Sequence, residues 1–370
     1  MRQKTIYFTG SLPKEGETPY GGGEVGNLRT IRMLRSFGYN VKSVRKIRSG
    51  VNDSWLRKRF MYPFRTLANV CEWFFVLLFG LSNSSIAYIS GFYGKTIYVE
   101  TLQMFIANLL GCRIVYELRG GGATEFYEKG SRLYRKQFMY ILTKANYLLS
   151  QGKENEPLLH SLCSTPIYYY PNSVQQGDYP EEMPQKSDKT INLIFFGRIE
   201  TSKNPLLTVK VAELLQKEFN NITLTMIGNG KKELIEKVKK QMEGSLRTGS
   251  WILLPGCAHD ELLHLLSDKH FFIFPSQQIR EGQSNAVTEA MGYGVIPIAS
   301  PQGFNRSTIG DSTLIVEELS AKAYAERLAN IIRNGEIEKC SHFVRQRFME
   351  NFTEGIVFAQ AKKTFKDIIG

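Results

Sequence analysis

Apolar residues in this 370-residue chain follow two alternating rhythms. Short unbroken runs at 5–9, 85–89, 113–116, 147–150 and 167–170 have the length and composition of buried strands. Between them, apolar positions return every three or four residues, the spacing of one helix face. This predicts helices over 25–37, within 57–81, over 102–110 and over 132–143. The rhythm stops near Pro171-Asn172-Ser173-Val174, and residues 175–190 are polar with linker composition. Strands are then predicted at 191–196, 222–227, 252–254, 271–274 and 295–299, alternating with helices at 205–218, 231–242, 259–268 and 321–334. Residues 343–369 read as a final amphipathic helical segment. Alternating βα units with short apolar strands predict an α/β protein of parallel sheets covered by helices. The two halves, 1–174 and 185–342, predict two doubly wound, Rossmann-like domains facing across a cleft. Ligands are expected at the carboxyl ends of the strands.

The richest chemistry lies around residues 271–297. The strand there ends at Pro275-Ser276, and a polar loop then carries Glu281. Ser284 or Asn285 can cap a helix carrying Glu289, and Gly294 can end it. One carboxylate thus precedes the helix and the other sits about one turn inside it. Between them the helix N terminus offers free backbone N–H groups and partial positive charge, a natural seat for phosphate. Carboxylates on either side can accept hydrogen bonds from hydroxyls. That combination suits a nucleotide-sugar, with diphosphate in the middle, ribose at one end and hexose at the other.

Three glycine-containing loops add to this picture. Gly197 lets the chain turn sharply after the strand 191–196, which places Arg198 and Lys203 where two cations could neutralise a leaving diphosphate. Gly228-Asn229-Gly230 ends the next strand and can bring backbone close to a base or sugar, although a simple turn explains it equally well. Tyr20-Gly21-Gly22-Gly23-Glu24 follows the first strand. It is not a phosphate-binding Walker loop, since no Gly-Lys-Ser/Thr follows, and it lacks the dinucleotide glycine register.

Composition narrows the function classes. Hydrophobic content of 42% and charged content of 22% describe an ordinary globular protein long enough for two cores. Five dispersed cysteines show no zinc spacing and fit a reducing cytosol. No Asp-x-Asp pair is present, so neither metal nor other cofactor is expected. Of the net charge of +12, residues 1–65 carry most, with fourteen Lys/Arg against four Asp/Glu. The dense part is Lys42, Arg45, Lys46, Arg48, Arg57, Lys58, Arg59 and Arg65, followed by an apolar run containing Trp73, Phe74, Phe75 and Phe79. That run is too short to span a bilayer. It suits either contact with an anionic membrane surface or a buried helix with a solvated basic neighbour. No nucleic-acid module surrounds it, and no signal peptide is expected before the first strand.

The second half resembles the retaining glycosyltransferases of family 4, which have the GT-B fold. The matching residues are Gly197-Arg198 with Lys203, Gly228 with Gly230, Phe274-Pro275-Ser276, Glu281 with Glu289, the stretch 289–297, and Pro301 with Gly303. Pro171-Asn172-Ser173-Val174 resembles the Pro-Asn-Gly-Val near the family's linker. The likeness is specific over 166–335 and looser before it. It implies that Glu289 holds the ribose, Glu281 the transferred sugar, and Arg198 and Lys203 the diphosphate. Backbone N–H groups of Ser284, Asn285 and Ala286 would complete the phosphate site, and Gly22 and Gly23 would approach it from the first domain. Side chains around Glu281 and Gln283 would then discriminate the hexose. The last helix would cross back onto the first domain, as residues 343–370. Many relatives place a histidine after the strand corresponding to 114–116. Here Glu117 and Arg119 stand in that stretch, as candidate contacts to donor or acceptor.

The expected activity is metal-independent, retaining transfer from a nucleotide-sugar, UDP- ahead of GDP-, to a saccharide acceptor, lipid-linked if the basic region meets the membrane. It would serve the assembly of bacterial capsule, O-antigen or lipopolysaccharide, in the cytoplasm or on the inner face of its membrane. The competing readings are a nucleotide-sugar 2-epimerase of the same fold and a non-catalytic binding protein.

Overall fold

The structure is a computed structural model describing residues 4–14, 16, 17, 19, 21–46, 55–80 and 85–369, with backbone only at 55–59 and 369. Tyr20 and Arg48, and the side chains of Arg57, Lys58 and Arg59, lie outside the described residues. The chain divides into two compact units, Met1–Pro171 with Phe358–Gly370, and Asn172–Val357.

The first unit is built on β1 (Thr5–Gly10), β2 (Asn40–Arg45), β3 (Ile86–Gly91), β4 (Arg113–Leu118), β5 (Tyr147–Ser150) and β6 (Ile167–Tyr169). They form one parallel sheet in the order β2-β1-β3-β4-β5-β6. Successive side chains along a strand alternate between its two faces. Tyr7, Ala87, Ile89, Ile114 and Tyr116 join the core under the helices Trp55–Leu78, Ile97–Leu109 and Arg132–Lys144. These helices lie side by side, and Trp73 Nε1 donates to Gln103 O at 2.9 Å between the first two. On the other face Phe8 stacks on Tyr88 with centroids 4.9 Å apart, and Tyr88 on Phe365 at 6.3 Å.

β2 did not stand out in the sequence pattern. It lies at the sheet edge, where only Val41 and Val44 are buried and cations are tolerated. This strand takes up part of the basic cluster. Just beyond it, Lys46 Nζ reaches the buried carboxylate of Glu100 at 3.3 Å and Ser90 O at 2.8 Å. Burial alone would raise the Glu100 carboxyl. Lys46 and hydrogen bonds from Tyr116 Oη and the Phe92 N–H bring it below its ordinary value.

The second unit contains β7 (Ile191–Phe196), β8 (Ile222–Ile227), β9 (Trp251–Leu254), β10 (Phe271–Phe274) and β11 (Ile296–Ala299). The sheet is parallel in the order β11-β10-β7-β8-β9. Every residue of β7, β10 and β11 is buried, which is why these strands read as continuous apolar runs. The strand order reverses between β7 and β10. In doubly wound sheets the crevice beyond the carboxyl ends at such a reversal is the ligand site.

The C-terminal segment differs from the single helix expected over 343–370. Two helices, Ile337–Asn351 and Glu354–Ile369, are separated where Thr353 bridges to Val174. The Val174 N–H donates to Phe352 O at 2.8 Å, and the Glu354 N–H donates to Val174 O at 2.9 Å. This short ladder keeps residues up to Val357 with the second unit, and only Phe358 onward belongs to the first.

Candidate functional site

The loops after β7 and β10 bring Lys203 and Glu281 together. Their side chains form an ion pair, only 11% and 13% exposed, and Ser276 Oγ donates to the same Glu281 Oε2 at 2.9 Å. The ammonium also lies 4.7 Å from the centroid of the Phe274 ring, a cation–π contact. Lys203 is held from both sides. Gln277 N–H donates to Ser202 O at 2.7 Å, and Asn204 Nδ2 donates to Pro275 O at 2.7 Å. Asn204 adopts a left-handed conformation, φ 50°, which asparagine tolerates better than most residues, and Pro205 then starts the next helix.

Glu281 stands just before the helix Asn285–Gly292, whose N-cap residue is Ser284. The Ser284 side chain makes no capping bond, and in the first turn the Val287 N–H donates to Ser284 O at 3.1 Å. Glu289, half-buried, lies one turn inside that helix as expected. A carboxylate, an ammonium and the positive end of a helix therefore meet at the reversal of the second sheet.

Gly228 and Gly230 let the loops after β7 and β8 press together. A Cβ on Gly228 would stand 1.8 Å from Gly197 O, and one on Gly230 would stand 2.2 Å from Ile199 O. The two loops are zipped by the bridge between Ile199 and Gly230 and by the Ile199 N–H donating to Asn229 O at 2.9 Å. Gly197 itself has φ +127°, a conformation that favours glycine. Arg198 extends outward, more than half exposed, and pairs with Glu200 at 2.8 Å.

Two contributors to the site were singled out in the sequence only as part of the family resemblance, without a role. Gly303, φ +64°, lies so close to the loop that a Cβ there would meet Glu281 O at 2.1 Å. Asn172 braces the segment from below. Its N–H donates to Gln283 Oε1 at 2.6 Å, and its Nδ2 donates to Gln283 O and Asn285 Oδ1, both at 3.1 Å. Gln283 returns a bond from Nε2 to Asn172 O at 3.2 Å. Gln283 itself is 4% exposed and locked onto Asn172.

The remaining candidates belong to the first unit. Gly22 and Gly23 open the helix Gly22–Ser36, and a Cβ on Gly23 would meet the Phe92 ring at 2.9 Å. Glu117 and Arg119 pair at 2.7 Å and are only 1% and 3% exposed. Tyr88 Oη donates to Glu117 at 2.6 Å, Arg119 donates to Thr30 Oγ1 at 3.1 Å, and a Cβ on Gly26 would strike the guanidinium. Both side chains face the interior of this unit, with almost no surface for the contact expected of them. Among the described residues no three His, Cys, Asp or Glu side chains gather as a metal centre, and no helix is long and apolar enough to cross a membrane.

Two parallel sheets with flanking helices match the GT-B fold. The chain matches the family model of glycosyl transferases group 1 over residues 180–347. It is 26% identical over 307 residues to the capsular polysaccharide biosynthesis glycosyltransferase CapH of Staphylococcus aureus, covering 76% of this chain and 78% of that one. Sucrose-phosphate synthase from Thermosynechococcus elongatus shares the fold with a TM-score of 0.73 at 13% identity, over 99% of both chains. Anabaena HepE, solved in complex with UDP, shares it with a TM-score of 0.71 at 11% identity, over 99% of this chain and 100% of its own.

Proposed function

We propose that the protein transfers a sugar from a nucleotide diphosphate-sugar, UDP- ahead of GDP-, to a lipid-linked saccharide, with retention of configuration and without a metal ion. The reading rests on one observation above all, the Lys203–Glu281 pair beside the N terminus of Asn285–Gly292. In the free enzyme the two side chains satisfy each other. An incoming diphosphate competes for Lys203 and takes the helix N–H groups, which releases Glu281 to accept hydrogen bonds from sugar hydroxyls. Glu289 would hold the ribose, and Arg198 can exchange its exposed partner Glu200 for phosphate.

As the bond between the anomeric carbon and the phosphate oxygen breaks, negative charge grows on the diphosphate and the sugar becomes oxocarbenium-like. Lys203, Arg198 and the helix dipole stabilise that charge. The acceptor hydroxyl bonds to the anomeric carbon from the same face, and its proton passes to the departing phosphate oxygen. The likeness to CapH supports an acceptor in capsular polysaccharide assembly, and the UDP complex of HepE supports uridine.

A thermal-shift screen of UDP, GDP, ADP and CMP, with and without EDTA, tests the donor site. UDP is expected to raise the melting temperature equally in both conditions. Lys203→Ala is expected to keep the fold while losing roughly 100- to 1,000-fold in transfer rate. A variant with undiminished turnover, or a wild type that no nucleotide stabilises, would overturn the assignment.

A further inference from the structure

The helix layer of the first unit has an outer surface its core does not explain. Thirteen of the twenty large apolar side chains exposed among the described residues lie on it or at its edge. On Trp55–Leu78, Val70, Trp73 and Leu77 turn inward, whereas Phe60, Phe64 and Leu67 are 70%, 69% and 61% exposed. Phe75 stacks on Phe79 in the open, their centroids 5.9 Å apart. The neighbouring helix Ile97–Leu109 repeats the pattern with Tyr98, Leu102, Phe105 and Leu109, and no charged side chain interrupts that stripe. An open groove of about 570 Å³ runs between it and Arg132–Lys144, lined by Tyr98, Leu102, Phe105 and Tyr140 and by Lys136. Contiguous apolar patches of this kind mark interaction sites.

Charge decides which partner. In sequence the three helices hold eight Lys/Arg and two Asp/Glu. One of the two acids, Glu100, is buried against Lys46. Arg132, Arg135, Lys136 and Lys144 are exposed beside the apolar stripes, with no acid on their helix. Apolar rings and aliphatic chains flanked by cations match the acyl and headgroup layers of an anionic bilayer. The other acid, Glu72, is exposed, and cations still outnumber acids across the three helices. We propose that the outer face of Trp55–Leu78, Ile97–Leu109 and Arg132–Lys144 lies on an anionic lipid bilayer. The face is wider than the basic segment 42–81 that the sequence suggested, and it excludes Trp73 and Lys46, which are used inside the unit. The inference does not rest on the donor chemistry.

Co-sedimentation of the full chain with vesicles tests it. The protein is expected to pellet at low salt with vesicles of phosphatidylcholine and phosphatidylglycerol, to stay in solution with phosphatidylcholine alone, and to be released as salt rises. Phe105→Glu combined with Leu109→Glu should abolish pelleting. Lys136→Ala should weaken it about fivefold. Both variants should keep the wild-type melting temperature and stabilisation by UDP, because the altered side chains are exposed and lie outside the donor loops. Three outcomes would overturn the proposal. The wild type could ignore the anionic vesicles, or the double variant could pellet as well as the wild type. Alternatively, light scattering could show a dimer that the double variant splits, without vesicle binding, which would assign the face to a second copy. Loss of stabilisation by UDP in the wild type would count against the transferase reading and leave this one standing.

Discussion

His270 is held as a neutral ring. Its Nδ1 accepts the backbone N–H of Asn192 at 3.0 Å, so that nitrogen carries no proton, and the backbone N–H of His270 donates to Asn192 O at 2.8 Å. Burial first, then repulsion from Lys186, lowers its pKa from 6.5 to about 4. The sign follows directly. Below pH 6.5 the unfolded chain takes up a proton that the folded chain refuses, and both hold it below about 4. Stability should therefore fall between those limits, by on the order of 3 kcal/mol, and level off beneath them. Urea midpoints measured across this window should show the decline, and His270→Gln should flatten it. A flat wild-type profile would contradict the neutral ring. At the same scale, Lys203 and Glu281 were legible in the sequence because their motif is local to loops after strands. Asn172 was not legible as a brace, since its partner Gln283 lies 111 positions away and only folding brings them together.

Elements were readable where burial imposes a single rhythm. β7 and β10, covered on both faces, appeared at their observed bounds, whereas β2 was lost because an edge strand mixes Lys42, Ser43 and Arg45 among two buried valines. For the Gly-x-Gly after β8 the sequence offered ligand approach and a simple turn equally, and the structure shows one loop pressed against another. Gly228→Ala sharpens the distinction. The new methyl would collide with Gly197 O, at a φ of +159° that side chains rarely adopt, so the Arg198 loop must shift. The expected result is a destabilisation of about 1–3 kcal/mol by thermal unfolding and weakened binding of UDP. An alanine variant with wild-type melting and affinity would refute the zipped-loop reading.

Across the whole molecule, the first unit is completed by the far end of the chain. Phe365 and Ile368 are 1% and 0% exposed, Phe365 lies on Tyr88, and Arg113 donates to Ile368 O at 2.8 Å. Ending the chain at Val357 removes these contacts together. Each large buried side chain is worth about 2–5 kcal/mol, so the loss rivals the total stability of a domain. Amide exchange should then accelerate along β1 and β3 well before it does in β7 and β10. Unchanged protection of β1 and β3 would show that the tail is dispensable. Sequence periodicity indicated a C-terminal helical segment but could not reveal the break at Thr353, because a one-residue bridge leaves no pattern.

That bridge also fixes how the second unit is threaded. The chain enters it at Asn172 and leaves it after Val357, and Val174 is laddered to Phe352 and Glu354 beside those points. Its ends are therefore neighbours, as in domains tolerated as insertions within a host. Lys203, Glu281 and Glu289 all travel inside this cassette, while the apolar helix layer stays with the host. Grafting an equivalent cassette from a relative should exchange the choice of donor while leaving the place where the enzyme works unchanged.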